Sequence, residues 1–271
     1  MTSQDFDVVR RLLEDRSAIV LAPDKQYLVE ARLEPIVRRL QLASIGELIA
    51  RLQRDPGNAL QTDIVEAMVT TETSFFRDHH PFEALRTVGL PDLIERRRHE
   101  RRLNIWCAAS STGQEPYSLA LIIREHFLEL CGWTLSLMSS DISQEMLSRA
   151  REGVYSQIEV NRGMPATLLV KYFDQRGTDW QLRAEVRRMV DFRQINLAGP
   201  WPLLPPLDLV LMRNVMIYFS VDTKKTILGK LATLLRPDGY LLLGGSETTY
   251  NIEDRFQRVE PYKSGFYQLV R

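Results

Sequence analysis

The chain has 271 residues, room for one large domain or two modest ones, and its 44% hydrophobic and 26% charged content is ordinary for a globular protein. Lys plus Arg and Asp plus Glu number 35 each, so no global field directs the molecule to nucleic acid or to a membrane surface. No apolar run approaches the ~18 residues of a membrane helix, the polar opening MTSQDFD does not read as a signal peptide, and two cysteines, Cys107 and Cys131, suit a reducing cytoplasm as small core residues.

Residues 1 to about 80 read as helices without strands. Phe6, Val9, Leu12 and Leu13 recur at helical spacing. Ile19-Val20-Leu21 and Pro23-Asp24 make an apolar link and a turn. Tyr27 to Leu42 is the next helix, which Pro35 should kink unless it marks the first turn. Ser44 and Glu47 have capping-box spacing ahead of a short helix ended by Asp55-Pro56-Gly57-Asn58, and Leu60, Ile64, Ala67 and Met68 pattern a fourth. Arg32, Arg38 and Arg39 give the second helix a basic face, either a solvated surface or a dock for an acidic partner. The segment VTTETSFFRD (69–78) sets hydroxyls, two phenylalanines and Arg77 together before His79-His80-Pro81. Pro81 suits the start of a helix running to about Arg98. The basic run at 95–102 has no interleaved aromatics and reads as a solvated helix end. The four histidines have no partners at metal-ligand spacing, so no metal is expected.

From Leu103 the rhythm changes to alternating strands and helices. Leu103 to Ala108 is a strand, followed by the small-residue turn Ala108 to Gly113 and a helix from Gln114 to Leu130. Trp133 to Ser140 is a second strand, ending at Asp141, and Ser143 caps a helix to Glu152. Residues 154–187 are irregular. Arg188 to Ile195 is a third strand, leading to Asn196-Leu197. Leu207 to Met212, nearly all apolar, is a central strand ending at Arg213-Asn214. Thr223 to Arg236 is a helix stopped by Pro237-Asp238-Gly239, Tyr240 to Leu243 is a strand, and Phe256 to Glu260 with Gly265 to Val270 forms a terminal antiparallel pair. The alternation predicts an α/β domain with a mostly parallel sheet.

The first turn lacks the Gly-x-Gly-x-x-Gly signature, and no Gly-Lys-Ser/Thr phosphate loop is present. An acid after the second strand suits ribose hydroxyls. A nucleoside without a phosphate chain suggests S-adenosylmethionine. Four successive strand ends carry polar groups on the side where such a ligand would lie.

Three stretches make the reading specific: TTETSFFRD at 70–78, WCAASSTGQEPYSLAL at 106–121, and RNVMIYFS at 213–220 with PDGYLLLGGSE at 237–247. In these the chain resembles the chemotaxis receptor methyltransferases. The resemblance implies a helical N-terminal domain (1–80), a linking helix (81–101) and a Rossmann-like class I methyltransferase domain (102–271). That domain would have a mostly parallel seven-stranded sheet and a small antiparallel insert at about 174–192. It implies transfer of a methyl group from S-adenosylmethionine to glutamates of chemoreceptors, leaving glutamyl methyl esters and S-adenosylhomocysteine, in adaptation during chemotaxis or related signalling.

The family's cofactor contacts fall on Thr71, Thr73, Arg77, Glu115, Asp141, Asn196, Leu197, Arg213 and Asn214, and its catalytic pair on Arg77 and Tyr218. Thr71 stands where the family usually has Asn. The insert, about four residues shorter than in members that grip a receptor-tail pentapeptide, implies a pentapeptide-independent enzyme. The resemblance also implies a cytoplasmic monomer that docks on the cytoplasmic methylation region of receptors through Arg32, Arg38 and Arg39, without nucleic acid, metal or membrane insertion. Phe75, Phe76 and Tyr218 are expected as aromatic walls of the site. The competing readings are a methyltransferase of the same fold acting on RNA or a small molecule, and a non-catalytic signalling module that binds the cofactor.

Overall fold

The computed structural model describes residues 1–54, 57–259 and 265–270. Asp55 and Pro56 of the expected helix break and Glu260 of the expected terminal strand lie outside these residues.

Four helices open the chain: α1 (Ser3–Ser17), α2 (Gln26–Arg39), α3 (Ile45–Arg54) and α4 (Asn58–Met68). Thr2 and Asp5 close a capping box on α1, satisfying two N–H groups that a helix start leaves bare. On α3, Ser44 Oγ accepts from Glu47 N (3.2 Å), while the Glu47 carboxylate reaches one residue further back, to Ala43 N (2.7 Å). Pro35 lies inside α2 and does not end it. The apolar faces meet in one core of Phe6, Val9, Leu13, Val29, Leu33, Leu48 and Ile64, among others.

The linking helix is not uniform. It runs as α5 (His80–Ala84), a π-turn over Leu85–Gly89, and α6 (Leu90–Arg96). Pro91 has no N–H and its ring would crowd the carbonyl four residues back, so the wider turn relieves the clash.

Strands and helices then alternate: β1 (Arg102–Ala108), α7 (Gln114–His126), β2 (Thr134–Asp141), α8 (Gln144–Glu152), β3 (Val154–Ser156), α9 (Gln157–Asn161), α10 (Ala166–Tyr172), β4 (Phe173–Arg176), β5 (Asp179–Leu182), α11 (Ala184–Arg187), β6 (Val190–Gln194), β7 (Leu207–Met212), α12 (Val221–Leu234), β8 (Leu235–Leu243), β9 (Phe256–Arg258) and β10 (Phe266–Leu269). Seven strands form one sheet in the order β6-β2-β1-β7-β8-β10-β9. The run β6 to β8 is parallel, and β10 pairs antiparallel with both β8 and β9. Two buried clusters, one built on Ile105, Leu119 and Leu209 and the other on Trp106, Val210 and Leu228, cover the two faces. This is the α/β Rossmann-like class with a helical N-terminal region. Because β1 has β2 on one side and β7 on the other, the strand order reverses there, and a crevice opens outside the carboxyl ends of β1 and β7.

The sheet departs from the sequence reading in four places. The helix expected to Leu130 ends at His126, and a 3-10 turn over Leu128–Gly132 follows, on which Cys131 is exposed and not a core residue. The strand expected from Tyr240 starts at Leu235, and Pro237-Asp238-Gly239 bulges out between the pairs Leu207↔Leu235 and Leu209↔Tyr240. A Cβ at Gly239 would lie 2.8 Å from the Asp208 carbonyl oxygen, so the bulge needs glycine there. The irregular stretch 154–187 holds a small antiparallel sheet, β3-β5-β4, whose first strand precedes 174. Residues 190–194, by contrast, belong to the large sheet.

The bulge carries a buried ion network. Arg97, 4% exposed, donates to Asp208 (2.5 Å) and to Asp238 (2.8 Å), tying the linking helix to β7 and β8. The guanidinium holds the Asp238 carboxyl below its ordinary value. That contribution is complete above the unfolded carboxyl value and disappears as pH falls through the lowered folded one. Arg97→Ala leaves the fully buried Asp208 with only the longer ion pair to Arg236 (3.4 Å). It should cost about 3–5 kcal/mol in denaturant unfolding, and a loss under about 1 kcal/mol would contradict this role for the network.

Candidate active site

The carboxyl ends of β1, β2 and β7 and the segment after β6 open into a cavity of about 300 Å³. Its floor is the turn after β1. Ala109 and Ser111 have positive φ (54° and 50°), and Gly113 follows at 90°. A Cβ on Gly113 would lie 3.0 Å from Ala150 Cβ and 3.1 Å from the Tyr117 ring, so helix α7 packs closely only without one. The left-handed residues aim backbone N–H groups at the end of β2. Ser111 N donates to Asp141 (2.8 Å), and Ser143 N donates to its other oxygen (2.9 Å). Each Asp141 oxygen therefore keeps acceptor capacity toward the cavity. Burial pushes the Asp141 carboxyl above its ordinary range, and these N–H groups draw it back in part.

The second acid, Glu115, stands in the first turn of α7 and is 8% exposed. Arg213, at the end of β7, donates to it (2.8 Å), and its other terminal nitrogen reaches Asp78 (2.7 Å) and the Arg77 carbonyl (3.2 Å). The guanidinium also lies 5.6 Å from the Phe82 ring centroid. Burial pushes the Glu115 carboxyl up, and Arg213 opposes that shift. The loop supplying Arg77 and Asp78 is strained, with positive φ at Phe76, Asp78 and His79. Ser111 Oγ pins its upstream end by donating to the Thr71 carbonyl (2.7 Å).

The third wall, Asn214 to Phe219, follows Arg213. The carboxylate of Glu247, on the turn after β8, accepts from the backbone N–H groups of Asn214, Val215 and Met216 at 2.7–2.9 Å. The fourth wall comes from the helical region: the link after α1 contributes Ile19, Val20 and Leu21, and α2 contributes Leu28 and Arg32. Val20 N donates to the Tyr218 carbonyl (2.9 Å), and Asn196 Nδ2 donates to the Arg16 carbonyl (2.7 Å), so the two regions close on each other across the cavity.

Thr73, Arg77, Glu115, Asp141, Asn196, Leu197, Arg213, Asn214 and Tyr218 all line this one cavity. Thr71 does not; it is engaged through its backbone carbonyl. The expected basic face divides. Arg32 turns inward and donates to the carbonyls of Met68 (2.5 Å) and Val69 (3.1 Å). Arg38 pairs with Glu34 (3.2 Å) and Arg39 with Asp63 (2.5 Å) on the outer surface. Phe75 is no wall of the cavity: it is fully buried, edge-on to Tyr155 (4.9 Å) and Phe173 (5.8 Å). Phe76 packs on Phe82 instead (5.7 Å). Tyr218 and Phe219 are the aromatic residues that line it. Among the described residues no group of three or more His, Cys, Asp or Glu side chains is placed to hold a metal. Glu247 has no role in the sequence reading, where its signal is only an acid two residues after Gly244-Gly245.

Two family models together match most of the chain: the CheR methyltransferase all-alpha domain over residues 4–69, and the CheR methyltransferase SAM binding domain over residues 71–264. The chain is 40% identical over 260 residues to chemotaxis protein methyltransferase 1 of Pseudomonas aeruginosa, covering 94% of each chain. It is 38% identical to chemotaxis protein methyltransferase Cher2 of Pseudomonas putida, covering 97% of each, and 37% identical to chemotaxis protein methyltransferase 1 of Vibrio cholerae, over 99% of this chain and 98% of that one.

Asp141→Ala would leave the Ser111 and Ser143 N–H groups without their acceptor. Each such loss costs about 1–3 kcal/mol where water does not replace it. Urea unfolding should show destabilisation of that order, and a stability unchanged within about 0.5 kcal/mol would mean that the turn does not depend on this acid.

Proposed function

The chain belongs to the CheR methyltransferase family, and on that premise we propose that it transfers a methyl group from S-adenosylmethionine to glutamate carboxylates of chemoreceptors, giving glutamyl methyl esters and S-adenosylhomocysteine. The observation that carries this reading is the cavity at the switch point of the sheet, with Asp141 and Glu115 fixed on its floor.

The residues present fit the cofactor. Asp141 offers acceptors for ribose hydroxyls. Glu115 gives one oxygen to Arg213 and has a second for a cationic amino group. Ser110 Oγ, Arg213 Nε and Asn214 Oδ1 are buried at this cavity without a hydrogen-bond partner, so they retain capacity for a polar ligand. Thr73, Asn196 and Leu197 complete the enclosure, and Thr71 takes part through the turn it pins. Bound here, the cofactor supplies an electrophilic methyl group on a sulfonium.

A glutamate side chain titrates near ~4.3, so the nucleophile is already ionised at neutral pH and needs no general base. The work left to the protein is alignment and exclusion of water, and good alignment is worth up to ~7–11 kcal/mol. Charge is partly annihilated along this reaction, so a dry site favours it. Tyr218, Phe219, Ile19 and Val20 supply apolar wall. In this reading Arg77 orients a carboxylate and Tyr218 fixes the substrate side. Arg32 adds positive charge at the helical wall, and Arg38 and Arg39 form an outer basic surface for the glutamate-rich receptor.

The helical region (1–80) is then the receptor-facing domain, residues 81–101 the link, and 102–271 the transferase domain of a cytoplasmic monomer. No helix among the described residues is long and apolar enough to cross a membrane. The turn of only two residues between β4 and β5 supports action without a tethering pentapeptide.

Methyl label from S-adenosylmethionine should enter receptor fragments as a base-labile ester, and Arg77→Ala and Tyr218→Phe should each lower turnover. Base-stable label, label in RNA, or normal turnover in both variants would overturn the assignment. Glu115→Gln should weaken cofactor binding by about tenfold or more. Because burial raises the Glu115 carboxyl while a cationic amino group requires it ionised, affinity should rise with pH through that raised value. Calorimetry should show this dependence in the native chain and not in Glu115→Gln; equal profiles would contradict the role.

A further inference from the structure

We infer that Glu247 is a positioning residue of this site, acting on the bound cofactor through the backbone of Asn214 to Met216. The inference rests on the cofactor reading above. Glu247 does not itself line the cavity; its carboxylate reaches the wall through the backbone N–H groups of Asn214 and Val215. It lies on the turn after β8 and is 8% exposed.

Its two oxygens hold four backbone donors. Oε2 accepts from Asn214 N (2.8 Å) and Gly244 N (2.7 Å), and Oε1 accepts from Val215 N (2.9 Å) and Met216 N (2.7 Å). Three successive N–H groups converging on one point form a concave anion site, and here an internal carboxylate occupies it. The convergence requires Asn214 to take positive φ (58°), a conformation that costs energy without such support. It also requires a bare Cα opposite. A Cβ on Gly244 would stand 2.7 Å from Glu247 Oε2 and 2.9 Å from Asn214 N.

The held segment forms one side of the cavity. Asn214, Val215, Ile217 and Tyr218 all line it, and Arg213 immediately before them carries the ion pair to Glu115. One acid therefore fixes the direction of the Asn214 side chain and the start of the turn that presents Tyr218. A carboxylate is required and an amide is not equivalent. Glutamine has one acceptor oxygen, and its NH₂ would face two N–H donors. The shorter Asp keeps the charge and both acceptors.

The test is calorimetric titration of the whole chain with S-adenosylhomocysteine, alongside thermal unfolding, for E247Q, E247D, N214A and the E247Q/N214A pair. E247Q should weaken binding by about tenfold or more, with E247D recovering part of the loss. In the N214A background E247Q should cost much less than it does alone, because both act through one contact. E247Q binding within twofold of the native chain, a lowered melting temperature with unchanged affinity, or full additivity with N214A would each overturn the inference. If E247Q does not fold, E247D decides: an intermediate affinity supports the inference and native affinity overturns it. A native chain that binds S-adenosylhomocysteine yet leaves receptor fragments unmethylated would refute the substrate reading, while the affinities would still judge Glu247.

Discussion

One buried cation holds the site together. The Arg213 side chain is 1% exposed and lies between Glu115 and Asp78, so three separate segments meet on it: the start of α7, the end of β7 and the loop after the helical region. Charges are expensive to bury, and an ion pair withdrawn from water is tolerable only when its geometry is close and its remaining groups are satisfied. Here the pair fixes position more than it adds stability. Without Arg213, Glu115 would be a buried carboxylate that has lost its paired cation and keeps only the charge of Arg77, and the strained turn at Phe76 to His79 would lose its anchor on β7.

Strain is concentrated where that anchor acts. Phe76, Asp78 and His79, Ala109 and Ser111, and Asn214 all have positive φ, and they sit on three of the segments that form the cavity. The other non-glycine residues with positive φ among those described, Ala18, Gln41, Arg101 and Asn251, are scattered singly, and the sheet beneath the site has apolar faces covered by buried side chains. Such conformations persist only where surrounding contacts over-determine them, and each has its own: Asp141 for the turn after β1, Arg213 for the loop before α5, Glu247 for the segment after β7. The chain is thus rigid where a small ligand must be aligned, and the alignment expected of a methyl transfer follows from that rigidity.

Much of this was readable in the residues. The strand at Leu207 to Met212 stands where its nearly all-apolar run put it, and Ser143 and Gly153 bound α8 as their capping chemistry requires. Nine of the ten residues expected at the cofactor and catalytic positions converge on one cavity, Thr71 being the exception. What stayed hidden depends on long-range contacts. A three-residue strand such as β3 has no periodicity to detect. The bulge at Pro237 to Gly239 looked like a helix stop because Pro and Gly punctuate both. Phe75 and Phe76 looked like walls of a dry site, yet neighbours distant in sequence claim them. Arg32 and Arg38 share a helix and a charge, but only Arg32 turns inward. Glu247 could not be assigned because its four partners are backbone groups, which leave no trace in residue identity.

Glu115 and Asp141 are the heart of the proposed S-adenosylmethionine site at the switch point of the sheet. The most direct measurement is a crystal structure of the chain grown with S-adenosylhomocysteine. Density is expected in the cavity between β1 and β7, with ribose hydroxyls on Asp141 and the amino group on Glu115. Density bound elsewhere on the chain, or in the cavity with neither acid in contact, would contradict it.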